Sequence, residues 1–404
     1  MQKWWNGLSR DYQLLLLSFA LIGLTNGIYD ATFNNYLSDI FHISAKVRGF
    51  IEFPRELPGF LVTIVSGLLM FLPDLRMLGM ALGLIGVGLI GQSFYSWGGD
   101  PHFTWMVIMM VLWSFGAHLN IPFSASVALS HAPEGKAGKT LGELNGVNNF
   151  VYIIGCASIW LLMGVFKWSY RWVFLLAALF AILAAFCVFL MKNGPRVQPD
   201  GKKVRFVLRR QYSLFYVLNI LFGARKQVFL TFAPWVLIKI YHEPATTIAT
   251  LLFLASTVGI AFKPWLGWLI DHWGERPVIM GESALLVLVC LGYGFAGRLG
   301  LGPSAVYLVF LCFIMDQVLF GVTMARTTYL HKNLVQESDL TPTLSMGTTM
   351  DHAVSMSIPM CGGLLWAQFG YESIFMVAAV VALINLFVAS RIKTPAAFNV
   401  KCSA

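Results

Sequence analysis

Long apolar runs of about 20 to 28 residues recur along the whole chain, and they limit its fold more than any other feature. Runs of this length suit α-helices that cross a hydrocarbon core about 30 Å thick, and they lack the short alternating pattern of a membrane β-barrel. Only 12% of the residues are charged, about half the share found in soluble proteins. The sequence therefore predicts an all-α integral membrane protein.

Twelve spans are predicted, and one basic segment divides them six and six. They cover residues 14–40, 49–72, 77–97, 104–130, 141–164, 172–191, 212–240, 246–270, 278–297, 304–329, 345–367 and 373–391. We therefore predict an N-terminal six-helix bundle at 1–191, a basic cytoplasmic linker at 192–211 and a C-terminal six-helix bundle at 212–404.

The distribution of Lys and Arg predicts the orientation in the membrane. With the N-terminus inside, the cytoplasmic ends and the linker carry 17 Lys and Arg residues, and the opposite side carries five: Lys46, Arg48, Lys167, Arg171 and Arg298. Cytoplasmic loops are enriched in these residues. Both termini are therefore predicted in the cytoplasm, and the protein in the cytoplasmic (inner) membrane.

The two predicted bundles repeat one another at an offset of 200 residues. One register holds over the first two spans of each half, which is difficult to obtain by chance. The recurring pairs include Gly23 and Gly223, His42 and His242, and Ala45 and Ala245. A duplicated six-helix unit is typical of secondary transporters.

A short motif separates the eighth and ninth predicted helices. It reads G-W-L-I-D-H-W-G-E-R-P from residue 267 and contains Gly267, Asp271, Gly274 and Arg276. With the twelve spans and the repeat, it resembles the Major Facilitator Superfamily of transporters. The resemblance implies that these four residues gate the cytoplasmic side and that the first, fourth, seventh and tenth helices line a central cavity.

Two features depart from the drug/proton antiporters of that family. Trp113 stands where those proteins tend to carry an Arg, three residues before Gly116, and the fifth predicted helix lacks a proline from Val147 to Gly164. An exporter of a drug or lipid-like solute is therefore the alternative hypothesis. A non-transporting membrane sensor or an intramembrane enzyme on the same fold is the alternative from another class.

Two adjacent cations, Arg225 and Lys226, stand at the centre of the seventh predicted helix. A cation at this depth costs roughly 2.5 to 3.5 kcal/mol and needs a polar interior or a partner. The repeat relates Lys226 to Asn26, which predicts that Lys226 points to the cavity. Arg225, about 100° around the helix, is predicted to face either the cavity or a neighbouring helix.

Polar stripes mark the first two predicted helices. Asn26, Asp30 and Asn34 share one face of the first helix at a spacing of four residues. We predict that the two Asn residues bind solute and that Asp30 carries a proton, with a structural pairing to a cation as the alternative. On the second helix, Glu52, Arg55 and Glu56 share one face. They are predicted either to take up a proton or to form an outside latch in which Arg55 contributes to gating.

Other polar residues within the spans extend this predicted site. His118 is either a hydrogen-bonded packing residue or a solute ligand, and the amides of the fifth helix either bind solute or join helices. The predicted solute ligands here are His118, Asn148, Asn149 and Gln317, and the predicted proton carriers are Asp316 and Asp351. Lys263 and Arg326 are expected to extend towards the cytoplasmic surface.

The sequence contains no nucleotide-binding loop, no H-E-x-x-H and no Cys-x-x-Cys. We therefore expect no enzyme activity, no cofactor and no metal. The net charge of +9 comes from helix ends, so nucleic acid is not an expected partner. The hypothesis is a monomeric secondary transporter among membrane lipids, which moves a small organic anion or zwitterion by symport with protons. Its site is predicted near the midplane between the halves, with alternating access.

Overall fold

The computed structural model describes residues 7–68, 72–133, 136–192, 208–332 and 339–392, and nearly all of them are helical. The predicted all-α fold with twelve membrane-spanning helices is confirmed. Most of the predicted linker, residues 193–207, lies outside the described part. The helices are α1 (Arg10–Phe41), α2 (Ala45–Leu68), α3 (Asp74–Ser93), α4 (Phe103–Ser130), α5 (Ala137–Val165), α6 (Tyr170–Phe189), α7 (Ser213–Lys239), α8 (Ala245–Trp273), α9 (Glu275–Phe295), α10 (Gly302–Lys332), α11 (Leu340–Phe369) and α12 (Tyr371–Ser390).

By length and composition alone, nine of the described helices could cross a membrane. The other three are α2, α7 and α11. They carry much of the intramembrane charge predicted from the sequence, including Glu52 and Arg55, Arg225 and Lys226, and Asp351. Apolarity is therefore weakest where the candidate site residues concentrate.

Two helices change their hydrogen-bonding pattern along their length. α5 is α-helical over Ala137–Ile159 and continues as a π-helical turn over Trp160–Val165. α10 contains a 3-10 turn at Phe320–Val322 that separates α-helical Ala305–Leu319 from Thr323–Lys332. Neither interruption contains a proline, so the continuous spans predicted from hydropathy gave no indication of them.

α3 ends at Ser93, four residues before the predicted end at residue 97. The next residues form an antiparallel hairpin of β1 (Ser96–Trp97) and β2 (Asp100–Pro101). Gly98 and Gly99 form its turn with φ of 68° and 102°. Only glycine adopts such angles at little cost, so this Gly-Gly pair permits the tight turn of the hairpin.

The 200-residue repeat is confirmed at the level of the backbone. His42 and His242 both adopt positive φ, of 49° and 57°; His42 directly follows α1, and His242 lies three residues after the end of α7. α2 and α8 then begin at the equivalent positions, Ala45 and Ala245. Positive φ is uncommon outside glycine, so its recurrence at two equivalent histidines indicates the same local fold in both halves.

Contacts divide the chain into two compact units. Unit 1 comprises Met1–Lys202 and Pro234–Ser256, and unit 2 comprises Lys203–Ala233 and Thr257–Ala404. In unit 1, α1 packs against α5 and α6, and α3 packs against α4 and α6. A Cβ on Gly88 would lie 2.5 Å from the backbone nitrogen of Trp113, so α3 and α4 cross at close range. The absence of a side chain permits this packing.

The core of unit 2 forms around α9, which packs against α10 and α12. The rings of Tyr293 and Phe375 stack with their centroids 4.4 Å apart. The amide of Asn385 donates a hydrogen bond to the hydroxyl of Ser283 at 2.8 Å. α9 is thus tied to α12 by both apolar and polar contacts.

Candidate functional site

The polar stripe on α1 is present in unit 1, and its members have different surroundings. Asn26 is half-buried, and Asp30 is exposed and accepts a hydrogen bond from Tyr152 of α5. The side-chain oxygen of Asn34 accepts a hydrogen bond from Nε of Arg48 at 3.1 Å. Asn34 is therefore bound to α2, while Asp30 keeps an accessible carboxylate.

A ladder of alternating charges runs along α2. Arg48 pairs with Glu52, whose other oxygen lies 2.7 Å from Nε of Arg55, and Arg55 lies 3.3 Å from Glu56. Arg48 is 1% exposed and Glu52 is fully buried. Sequence reasoning placed Arg48 among the outside cations and missed this pair, although its spacing of four residues from Glu52 was a usable signal.

His118 of α4 joins this ladder on its inner side. Its Nδ1 lies 2.9 Å from the carbonyl of Ser114, and its Nε2 lies 4.0 Å from an oxygen of Glu56. The hydroxyl of Ser114 also donates to the carbonyl of Arg55. α4 is therefore fixed to α2 by polar contacts at this depth, and His118 has both a packing contact and an acidic neighbour.

α5 contributes amides to unit 1 at a close helix crossing. The side-chain nitrogen of Asn148 donates to the carbonyl of Phe19 on α1 at 2.9 Å, whereas Asn149 is exposed. A Cβ on Gly23 would lie 2.5 Å from the carbonyl oxygen of Asn148. Asn148 thus joins two helices, and Asn149 presents its amide at the surface of the unit.

The adjacent cations of α7 have separate environments in unit 2. Arg225 is 3% exposed and contacts Asp316 at 2.8 Å and Glu282 at 3.4 Å. Its guanidinium also lies 4.9 Å from the ring centre of Phe320. Of the two faces predicted for Arg225, the structure places it towards the neighbouring helices α9 and α10.

Glu282 connects Arg225 to a second buried cation, Arg326 of α10. Its other oxygen lies 3.3 Å from Nη1 of Arg326, which is 2% exposed and stacks 4.0 Å from the ring centre of Phe222. The expectation that Arg326 extends to the membrane surface was wrong, because Glu282 and Phe222 hold its head group inside. Glu282 is not among the site residues predicted from the sequence, so its central place was missed.

Lys226 forms a pair with Asp351 of α11, with 2.6 Å between Nζ and Oδ2. The two side chains are 14% and 15% exposed, far more than the 1% to 4% of the Arg225, Asp316 and Glu282 side chains. Ser355, one turn further along α11, donates to the other oxygen of Asp351 at 3.3 Å. This pair is therefore the more accessible of the ionic contacts on α7.

Gly223 allows α7 and α11 to approach at the Lys226–Asp351 pair. A Cβ there would meet the carboxylate of Asp351 and lie 2.9 Å from its carbonyl oxygen. We expect Gly223→Ala to lower the free energy of unfolding by about 1 to 3 kcal/mol, the usual cost of overpacking. Thermal unfolding of the purified protein in micelles measures this effect.

Gly259→Ala is the matched control, since a Cβ at Gly259 meets no atom within 4 Å. Alanine favours a helix over glycine by up to about 1 kcal/mol, so this variant should be neutral or slightly more stable. Equal effects of the two substitutions would contradict the close approach at Gly223.

The remaining predicted residues are Gln317 and those of the motif between α8 and α9. Gln317 is half-buried, and its amide lies 3.5 Å from Asp316. In the motif between α8 and α9, Gly274 has φ of 82° and Asp271 is exposed. The glycine therefore serves the turn that separates two helices. Gly267 and Arg276, the other predicted gating residues, lie on α8 and α9 on either side of this turn.

The sequence matches the family model of the Major Facilitator Superfamily over residues 15–338 and 215–398. No curated protein matches it significantly. Similar solved structures include a point mutant of the nucleoside transporter NupG, with a TM-score of 0.78, 13% identity and coverage of 96% of this chain and 100% of that chain. A bacterial homologue of the iron transporter ferroportin in an inward-facing state has a TM-score of 0.76 and 16% identity, with coverage of 95% of this chain and 98% of that chain. The D-xylose-proton symporter has a TM-score of 0.68 and 15% identity, with coverage of 95% of this chain and 98% of that chain.

The predicted family is confirmed by the family model, which covers nearly the whole chain. The structural neighbours, at 13% to 16% identity, share the fold. Intramembrane ionisable residues held in pairs on separate helices agree with this assignment. The chain is a multi-pass membrane transporter of the Major Facilitator Superfamily, and not an enzyme.

Proposed function

We propose that this transporter moves a small polar organic solute, an anion or a zwitterion, across the cytoplasmic membrane by proton-coupled symport. It would act as a monomer with alternating access and with both termini in the cytoplasm. The observation that carries the proposal is the accessible Lys226–Asp351 pair on α7 and α11. A charged pair within a membrane span is costly, and it is a candidate site for a polar solute.

Lys226 is better suited than Arg225 to bind a solute. Arg225 is enclosed by two carboxylates and by aromatic rings, so a solute would have to displace buried partners. Lys226 has one carboxylate partner and a side chain that remains partly exposed. Ammonium groups on flexible stems adapt readily to a new anionic partner. Arg225 would then hold the helices that present Lys226.

Asp30 is the carboxylate best suited to carry the coupled proton. Glu52 and Asp316 each lie within 2.8 Å of an arginine, so each is engaged in a buried ion pair. Asp30 is exposed, and its hydrogen-bond donor is the neutral hydroxyl of Tyr152. A carboxylate of this kind gains and loses a proton without breaking a buried ion pair.

The named solutes of the structural neighbours do not select a substrate. They comprise a nucleoside, D-xylose and, for two neighbours, metals. One fold supports many functions, so the solute must be inferred from the residues of this chain. A polar organic solute agrees with the accessible amides of Asn26 and Asn149 and with the Lys226–Asp351 pair.

The proposal is tested in proteoliposomes that contain the pH-sensitive dye pyranine. External additions come from three sets: α-amino acids, the anions lactate and succinate, and the neutral solutes uridine and xylose. We expect at least one amino acid or organic anion to enter and to acidify the lumen, and a protonophore to abolish accumulation. Solute entry without acidification would contradict proton coupling, and failure of every amino acid and anion to enter would contradict the substrate class.

A further inference from the structure

The buried charges of unit 2 are balanced before any solute binds. Its described buried and half-buried cations on α7 and α10 are Arg225, Lys226 and Arg326, and their partners are Asp316, Asp351 and Glu282. Each cation therefore has a carboxylate within hydrogen-bonding distance. A solute carboxylate that approaches this cluster meets no uncompensated positive charge there.

Unit 1 has no surplus of positive charge in its charge ladder. Arg48 and Arg55 pair with Glu52 and Glu56, and Asp30 adds one further accessible carboxylate on α1. A purely anionic solute would thus add negative charge to a set of described residues that is already balanced or acidic. Such an addition is unfavourable where water is scarce.

The repeat indicates that helix packing does not require the Lys226–Asp351 pair. Gly223 allows α11 to approach α7 at Asp351, and its repeat partner Gly23 allows α5 to approach α1 at Asn148. The position equivalent to Lys226 is Asn26. A similar close crossing therefore forms in unit 1, where the neutral residues Asn26 and Asn148 stand in place of Lys226 and Asp351. The charges in unit 2 serve a purpose other than holding the two helices together.

We infer that Lys226 and Asp351 together bind a zwitterionic solute, whose carboxylate pairs with Lys226 and whose ammonium group pairs with Asp351. This inference rests on the proposed transport function and specifies its substrate class. The solute replaces one ion pair by two, so the charge of the site stays balanced. A lone anion would leave Asp351 beside a second negative charge, and a lone cation would leave Lys226 without an anionic partner. Ser355 keeps Asp351 in place when Lys226 turns to the solute.

The first test is a thermal-shift screen of the purified transporter with the common L-α-amino acids and betaine. For the amino acid that gives the largest shift, the des-amino acid and the amino acid amide are the matched probes, because each retains one of the two charges. We expect each analogue to bind at least tenfold more weakly than the amino acid. Equal binding of either analogue, or no response to any zwitterion, overturns the inference.

The second test uses variants that should prefer one of the two singly charged analogues to the amino acid. In Asp351→Asn the ammonium group loses its partner while Lys226 is released, so this variant should prefer the des-amino acid. Lys226→Gln should prefer the amide by the same reasoning. In the double variant Lys226→Gln with Asp351→Asn, the amino acid should lose at least tenfold in affinity although the charge is balanced.

Restoration of wild-type binding in the double variant would show that the pair is only structural and would overturn the inference. The outcome is separable from that of the proposed function. If uridine, xylose, lactate or succinate enters the pyranine-loaded liposomes while no zwitterion binds, transport stands and the zwitterion assignment fails.

Discussion

Glu282→Ala is expected to lower the free energy of unfolding by about 3 to 5 kcal/mol, the cost of removing one partner from a buried ionic network. Glu282 is 3% exposed and contacts both Arg225 and Arg326. Arg225 keeps Asp316 as a partner in the variant. Arg326 has no other carboxylate partner among the described ion pairs, so its buried guanidinium group would lose its direct ionic contact.

The measurement is the unfolding of purified protein in mixed micelles, followed by tryptophan fluorescence. Arg298→Ala is the control, because Arg298 is 69% exposed and lies 3.8 Å from Glu372. An exposed pair of this kind contributes at most about 1 kcal/mol. Similar losses for the two variants would mean that water reaches the guanidinium group of Arg326 and that the network is not closed.

The ionic network of Glu282 also explains why the orientation of Lys226 could be predicted from the sequence while that of Arg225 could not. Helical geometry separates Arg225 from Lys226 by about 100°, so the two had to face different neighbours. The repeat predicted the cavity face for Lys226 through Asn26. The face of Arg225 stayed open, because its partners Asp316 and Glu282 lie on two other helices, and no local pattern in α7 indicates them.

Hydropathy and the repeat predicted the parts of the fold that depend on local sequence. Twelve spans follow from the length of the apolar runs, and His42 and His242 mark equivalent turns. The π-helical turn in α5 and the 3-10 turn in α10 contain no proline, so the apolar runs gave no indication of them. Arg48 could have been found from the sequence, because it stands four residues before Glu52 and so shares its helix face.

The first turn of α2 shows how an offset of four residues at a helix start conceals a site residue. With α2 predicted to begin at residue 49, Arg48 belonged to a loop and was counted among the cations of the predicted outer side. The helix begins at Ala45, which places Arg48 one turn before Glu52 on the same face. A shift of four residues at the helix start therefore changes the inferred partner of a buried carboxylate.

Asp30→Asn is expected to abolish proton-driven accumulation of solute while leaving the fold and solute binding intact. With one coupled proton, a gradient of one pH unit supports about tenfold accumulation, since it corresponds to about 1.4 kcal/mol. The variant should reach equal concentrations on both sides, because an amide cannot carry the proton. Asp30 is exposed and outside the ion pairs described above, so its neutralisation leaves no buried charge without a partner.

The control for this prediction is Asp39→Asn, nine residues further along α1. Asp39 is exposed and accepts a hydrogen bond from Tyr170 at 2.6 Å, a contact that an asparagine oxygen can keep. We expect this variant to accumulate solute as the wild type does. Tenfold accumulation by Asp30→Asn under the same gradient would assign the proton to another group. Loss of accumulation in both variants would show that acidic charge on α1 matters in general and that Asp30 has no special role, because the two substitutions remove the same charge at different depths.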